Sequence, residues 1–377
     1  MTHATNPSAD RPHREWRIVH TESSLGWGGQ EHRILAELTG FQRRGHQVWL
    51  VAPEESELFR RAARADIRVR AVDFGRSRIV GNILRLSAWL RRERIDVLNP
   101  HSSRDSWVAG LAGRLARVPF LVRTRHFDVP IPNPRISRHV YRTLADHLLT
   151  TSPKVTDHLR SLFRLPEDRV STVPTGIDLE RFSPGGARAA VVPDNAAGRT
   201  LVGMISIIRK AKGHETLLRA ARLLNGSGFP VHCLFVGEGP SRSNVEACVR
   251  ELRLSDHVTF AGHREDVPEV LRALDILALP SLHEGIPQVG LQALAVKVPV
   301  IGSDVGGIPS IIRPNQTGRL VLPGDAAALA AAIRETIGDR AATERLCEAG
   351  RALVEAEHSL DHMLDRLERL YERHLPR

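Results

Sequence analysis

The sequence predicts an α/β protein made of two doubly wound, Rossmann-like domains, and three observations predict it. Strand-like apolar runs alternate with helical patterns from Trp16 almost to the end of the chain, the rhythm of parallel sheets covered by helices on both faces. The rhythm breaks once, between Ser183-Pro184-Gly185-Gly186 and Asn195-Ala196-Ala197-Gly198, a stretch with the composition of a linker. Finally, 377 residues exceed one ordinary core and suit two.

The elements follow in order. Trp16 to His20 reads as the first strand, and the turn Ser24 to Gly29 leads into a helix over about Gln30 to Arg44 that Gly45 stops. Gln47–Ala52, Val69–Phe74, Asp96–Pro100, Phe120–His126, His147–Ser152 and Val170–Pro174 continue as strands with helices between them, which fills a first domain of residues 16–182. After the linker, 183–198, the alternation restarts with Leu201–Ile207, His232–Gly237, Val258–Ala261, Asp275–Leu279, Val300–Gly302 and Arg319–Leu322, a second domain of residues 199–355. In the closing segment, 356–377, a helix near Ser359 to His374 sets Leu360, Met363, Leu364, Leu367, Leu370 and Tyr371 on one stripe. That stripe must pack, and here it is expected to run back across both domains. Met1 to Glu15 is polar without an apolar core, so it reads as a disordered lead-in rather than a signal peptide.

Composition narrows the function. With 42% hydrophobic and 25% charged residues the chain resembles a globular protein, and no window approaches the ~18 consecutive apolar residues of a membrane span. Cys233, Cys248 and Cys347 lie far apart without a CxxC pair, so they read as buried thiols of a reducing, cytoplasmic compartment. The net charge of +10 sits almost wholly in the first half, where residues 1–180 carry 29 Lys and Arg against 20 Asp and Glu. Such a surplus suits an anionic lipid surface or an acidic small molecule, or simply solvated helix faces such as Arg91-Arg92-Glu93-Arg94. Nucleic acid is excluded as the expected partner, because RNP-like aromatics, zinc-finger spacing and a basic zipper are all lacking.

In open sheets of this kind ligands bind at the carboxyl ends of strands. That rule selects the loops Ser24–Gly29, Asn99–Ser103, His126–Val129, Ile207–Gly213, Gly237–Pro240, Ser281–Gln288 and Ser303–Gly307. The richest begins Leu279-Pro280-Ser281 and passes Glu284 and Gly285 before Pro287 opens a helix carrying Gln292. Proline is favoured at a first helical position, so the N–H groups of Ile286, Gln288 and Val289 would face the loop. Such a helix start attracts phosphate, and Glu284 and Gln292 could take hydroxyl hydrogen bonds beside it. An ordinary strand-to-helix turn with a solvated Glu is the plain alternative.

The ordered set Gly28-Gly29-Gln30-Glu31, His126, Pro174-Thr175-Gly176-Ile177-Asp178, Lys212-Gly213, Gly237-Glu238-Gly239-Pro240, Pro280-Ser281 through Gln292, and Gly306-Gly307 resembles the retaining glycosyltransferases of family 4, which have the two-domain GT-B fold. The resemblance covers about Trp16 to Asp325. It implies an enzyme that moves a sugar from a nucleotide-diphosphate donor to a lipid-linked, lipopolysaccharide or other glycan acceptor, with retention, in a cleft between the domains. By the same resemblance His126, Glu284 and Lys212 are the catalytic candidates. Gly28, Gly29, Arg209, Gly237, Gly285, Ile286, Gln288 and Gln292 are the donor-binding candidates and Glu31 an acceptor-binding one, while His101 joins the acceptor-binding candidates on its place at a strand end. His101 reads equally well as a hydrogen-bonded structural histidine.

Residue chemistry fits this implication. Breaking a glycosyl–phosphate bond develops charge on a diphosphate leaving group, which a lysine, an arginine and a helix start can stabilise. No metal or other cofactor is then expected, and the chain has no Asp-x-Asp. Four positions depart from the family pattern: Ile207 replaces an arginine, leaving Arg209 or Lys210 to supply the second cation, while Gln292, Pro287 and Ser310 replace a glutamate, a glycine and a glutamate. Ile207, Gln292 and Ser310 motivate one alternative, a non-catalytic nucleotide-sugar-binding or scaffold protein, and a nucleotide-sugar epimerase of similar fold is another. Peripheral contact with the inner face of the cytoplasmic membrane is the expectation drawn from the basic first half.

Overall fold

A computed structural model of the chain describes residues 14–75, 78–126, 131, 133–191 and 196–375. The expected lead-in up to residue 13, residues 192–195 of the expected linker and residues 127–129 of the loop after His126 lie outside the described residues. The chain divides into two compact units, residues 1–173 with 364–377, and residues 174–363. Each is organised on one parallel sheet.

In the first unit the strands are β1 (Arg17–Thr21), β2 (Gln47–Ala52), β3 (Arg68–Ala71), β4 (Val97–Pro100), β5 (Phe120–Arg125), β6 (His147–Thr150) and β7 (Val170–Thr172), in the order β3-β2-β1-β4-β5-β6-β7. Helices cover both faces, so the central strands bury nearly every side chain: Ile18, Val19, Leu50, Val51, Val97, Leu98, Leu121 and Val122 are all buried. Register places the carboxyl ends of three strands side by side. His20 pairs with Asn99 and Thr21 with Pro100 across β1 and β4, and Val97 pairs with Phe120 across β4 and β5.

The last helix, Leu360–His374, buries all six residues of its apolar stripe. Its portion in the first unit packs the Tyr371 ring edge-on to Trp16 and Phe120, at centroid separations of 5.8 and 6.0 Å. Arg44 ties the same helix down by ion pairs to Asp365 (2.7 Å) and Glu368 (2.8 Å). Gly40 is required beneath it, because a Cβ there would come within 2.5 Å of Leu364.

In the second unit β8 (Thr200–Ile205), β9 (Val231–Val236), β10 (Val258–Gly262), β11 (Ile276–Leu279), β12 (Val300–Ser303) and β13 (Arg319–Val321) run in the order β10-β9-β8-β11-β12-β13. The first six strands of the chain repeat the same order, the doubly wound arrangement with its reversal at the first strand. All three cysteines are buried and unpaired. Among the described residues no helix is long and apolar enough to cross a membrane.

Three sequence expectations are corrected. The strand expected over Val69–Phe74 is Arg68–Ala71, because after Val72 donates to the Ala52 carbonyl (3.1 Å) the chain leaves the sheet. The strand expected to reach Ile207 ends at Ile205, where the chain turns toward the Gly237 loop. Pro287 is the N-cap rather than the first helical residue: its ψ of 114° is extended, and its carbonyl accepts the Gly290 N–H (3.0 Å) at the head of helix Gln288–Ala295.

Candidate functional site

The second unit assembles its strand-end loops through glycines. After β8 the loop carries exposed Arg209 and Lys210, then Lys212 and Gly213. Gly213 has φ +75°, and a Cβ there would stand 1.9 Å from the Pro280 carbonyl oxygen. That close approach, with the Leu282 N–H donating to the Ala211 carbonyl (2.8 Å), straps this loop to the one after β11. On the far side, Gly306 has φ +59° and would bring a Cβ within 1.8 Å of the Glu284 carbonyl oxygen, while the Gly307 N–H donates to Gly285 (3.2 Å). Gly237, at φ +128°, leans equally closely on Ser206.

This clamp fixes two charges. The Lys212 ammonium donates to Glu284 Oε2 at 2.5 Å, and the Ser281 hydroxyl donates to the same oxygen at 3.1 Å. Both side chains keep some solvent contact, 28% for Lys212 and 14% for Glu284, so a ligand can reach them. Gly285, Ile286, Gln288 and Gln292 lie on the same segment and Gln292 is half-buried. Ser310, where the family carries glutamate, instead donates to the Gly307 carbonyl (2.6 Å) and buttresses the doublet. Here Lys212 can neutralise an anion, Glu284 can accept hydroxyls, and a helix start supplies dipole and donors.

In the first unit side chains, not backbone, build the site. Glu22 follows β1 and is fully buried; it accepts the Ser24 N–H (2.7 Å), the Ser102 hydroxyl and the Gln30 amide. Gly28 precedes helix Gly29–Arg43, and its N–H donates to Glu31 (2.9 Å), so Glu31 is buried and turned to the helix start. Asp105 accepts the Thr21 hydroxyl (2.8 Å) and the His101 N–H (2.9 Å).

A line of histidines crosses the strand ends. His20 Nδ1 meets His101 Nε2 at 2.9 Å, and His101 Nδ1 meets His126 Nε2 at 2.9 Å. Glu37 stands behind His20, its Oε2 at 3.7 Å, and Arg33 donates to its other oxygen at 2.6 Å. His20, Glu37 and His101 each set a possible metal-ligand atom within 4.8 Å of the others. Two of the three, His20 and His101, already share a hydrogen bond, and Arg33 holds the Glu37 carboxylate by its other oxygen.

Burial dominates the titration of this cluster. It lowers His20 to about 4 against the opposing pull of Glu37, and with the charges of Arg33 and neighbouring histidines it holds His101 and His126 well below the usual range. All three rings are therefore neutral at pH 7. Burial raises Glu22 against its hydrogen bonds, and burial, then the Glu22 charge, pushes Asp105 well above the usual carboxylate range.

The structure thus brings together Lys212, Glu284, Gly285 and the glycine doublet in one unit, and His101, His126, Gly28, Gly29 and Glu31 around one strand-end cluster in the other. Sequence reasoning missed His20, Glu22, Glu37, Ser102, Asp105 and Ser281. For His20 and Glu22 the signal was present, since they flank the carboxyl end of the first strand; Glu37 gave none, reading as one more helix acid.

Fold and site together define a two-domain glycosyltransferase-type protein, and the chain belongs to that family. Residues 27–181 match the model described as Glycosyltransferase Family 4, and residues 191–353 match Glycosyl transferases group 1. Among curated relatives, the D-inositol 3-phosphate glycosyltransferase of Nocardia farcinica (strain IFM 10152) is 32% identical over 268 residues, 64% of this chain and 59% of that protein. The chain therefore spans less than two thirds of that relative's length. The 2-deoxystreptamine glucosyltransferase of Streptomyces kanamyceticus is 26% identical over 320 residues, 76% of this chain and 82% of that protein. Among solved structures, the Anabaena HepE protein in complex with UDP superposes with a TM-score of 0.81 at 18% identity, covering 95% of this chain and all of that one, a likeness of fold.

Proposed function

We propose that this protein transfers a sugar from a nucleotide-diphosphate donor to a hydroxyl acceptor, without a metal and with retention at the anomeric carbon. The observation that carries the reading is the Lys212–Glu284 pair, 2.5 Å apart, clamped by Gly213 and Gly306 at a helix start. In the proposed reaction the second unit holds the donor. Lys212 neutralises the departing diphosphate with Arg209 or Lys210, Glu284 takes sugar hydroxyls and Gln292 the ribose. As the glycosyl–phosphate bond breaks, the acceptor oxygen attacks from the same face and its proton passes to the leaving diphosphate. Metal-free leaving-group stabilisation is consistent with three cations on one loop. The first unit supplies the acceptor contacts and His126.

The names of the relatives favour a small cyclic polyol or aminocyclitol as acceptor, and UDP bound to the Anabaena protein favours a uridine donor. Incubation with a panel of nucleotide sugars and cyclitol, glycan and lipid-linked acceptors tests this. Acceptor-dependent release of nucleoside diphosphate with an α-linked product from an α-linked donor supports the reading. Donor binding without turnover on any acceptor would favour a scaffold, and an altered sugar formed without acceptor would favour an epimerase.

A lipid-linked acceptor is the second reading. Helix Ile79–Arg92 exposes Val80 (71%) and Leu84 (59%) beside exposed Arg78 and Arg85, a surface suited to peripheral contact with the anionic inner face of a cytoplasmic membrane. Flotation with liposomes decides: binding that needs acidic lipid and weakens with salt supports it, and no flotation removes it.

A further inference from the structure

Three imidazoles in series admit only two proton arrangements when all are neutral. Either every Nδ1 carries the proton, and the bonds run from His20 to His101 to His126, or every Nε2 carries it and the bonds run the other way. Two observations at the closed end choose between them. His20 Nε2 is buried and finds no hydrogen-bond partner among the described residues. As a bare ring nitrogen it costs less than as an orphaned N–H, which folded proteins seldom leave buried. Glu37 Oε2, buried and likewise without a hydrogen-bond partner among the described residues, stands 3.7 Å from His20 Nδ1 and attracts a proton there.

We infer that His20, His101 and Glu37 form a buried relay that fixes the proton of His126 on Nδ1, making His20 and His101 positioning residues that act through His126. The charged and titratable groups packed around the relay agree with this polarity. Arg33, whose Nε donates to Glu37 Oε1 at 2.6 Å, leaves Oε2 facing His20 at the closed end. Asp105 holds the backbone N–H of His101 rather than its ring. Burial keeps the rings neutral, so the arrangement persists through neutral pH. Held in a single tautomer, His126 works in turnover as one defined donor–acceptor pair, where an unrestrained imidazole would divide between two forms and reach the working form part of the time. That consequence for turnover rests on the transferase reading; the tautomer itself does not.

The test is nitrogen NMR on protein with ring-¹⁵N histidine, with His126 assigned through His126→Asn. At pH 7 the expected spectrum shows His126 neutral with the proton on Nδ1, and a coupling across the hydrogen bond from protonated His101 Nδ1 to His126 Nε2. In His101→Phe the His126 proton should move toward Nε2, while His101→Gln, whose amide can still donate, should hold it on Nδ1. For turnover, His101→Phe should lower kcat by about 10- to 100-fold with donor KM nearly unchanged, and His101→Gln should recover most of it. An Nε2–H His126 in the wild-type protein, a charged ring at pH 7, or nitrogen shifts of metal-bound imidazole would each overturn the inference. Loss of all turnover in the wild-type protein with the Nδ1–H pattern intact would count against the transferase reading and leave the relay standing.

Discussion

The two sheets share one strand order for their first six strands, yet they build their strand-end sites by opposite means. In the second unit, glycines let one loop's backbone lie against another's, with approaches of 1.8 to 2.1 Å for a hypothetical Cβ at Gly306, Gly213 and Gly237. In the first unit the strand ends carry polar side chains hydrogen-bonded in series: Glu22, Asp105, His20 and His101 are buried, and His126 ends the line of rings. The first construction leaves Lys212 and Glu284 open to a ligand and fixes them through backbone. The second fixes proton positions through neutral, buried rings. Backbone clamps suit an anion that needs many donors, whereas a side-chain network suits a single oriented group.

Breaking a clamp should have the largest effect. Gly306→Ala and Gly213→Ala each force a Cβ onto a carbonyl oxygen at a positive φ, so turnover should fall by about 10³ or more and stability by about 3 kcal/mol in urea unfolding. Gly81→Ala is the control: a Cβ there meets nothing within 4 Å in an exposed helix, and stability should rise by about 0.5 kcal/mol. Removing the clamped charges comes next. Lys212→Ala and Glu284→Ala should each lower turnover by about 10²–10³ while leaving the urea midpoint nearly unchanged, because in the proposed reaction each acts on charge developing at the reacting bond.

Acid should affect stability through buried histidines in both units. Burial lowers His147 to about 3 and His20, His214 and His232 to about 4, with nearby cations adding for His147, His214 and His232. Folded values below the unfolded value of about 6.5 mean that, under acid, the unfolded chain takes up protons that the folded chain refuses. Their contribution is therefore complete above pH 6.5 and declines as pH falls toward 4. Each histidine adds a slope of at most about 1.4 kcal/mol per pH unit, and His147→Gln should flatten the unfolding curve by about that much in this window. The smallest effect sharpens the donor assignment: Gln292→Glu should change turnover by no more than about threefold, since either side chain accepts a ribose hydroxyl hydrogen bond.

The same contrast explains what the sequence disclosed. Apolar runs foretold the central strands, which are buried on both faces and so apolar along their length, whereas the edge strand β3 is only partly buried and was expected with other bounds. Lys212-Gly213, Glu284 and Gly306-Gly307 were singled out through the order of motifs that the family resemblance supplied, and the structure adds that Gly213 and Gly306 sit at positive φ against carbonyl oxygens. Pro287 was misplaced by one position, since its fixed φ suits a cap and a first helical residue alike. The histidine chain was half visible: His101 and His126 were singled out separately, but their link to His20 and Glu37 depends on the register of β1, β4 and β5, which no local pattern encodes.

The central claim, that the clamped Lys212 site holds a nucleotide donor, is tested most directly by calorimetric titration of nucleoside diphosphates into the wild-type, Lys212→Ala and His101→Phe proteins. The account predicts that at least one nucleoside diphosphate binds the wild type, that Lys212→Ala weakens it by about tenfold or more, and that His101→Phe leaves it unchanged. Equal affinity in the wild type and Lys212→Ala, or no binding of any nucleoside diphosphate, would contradict it.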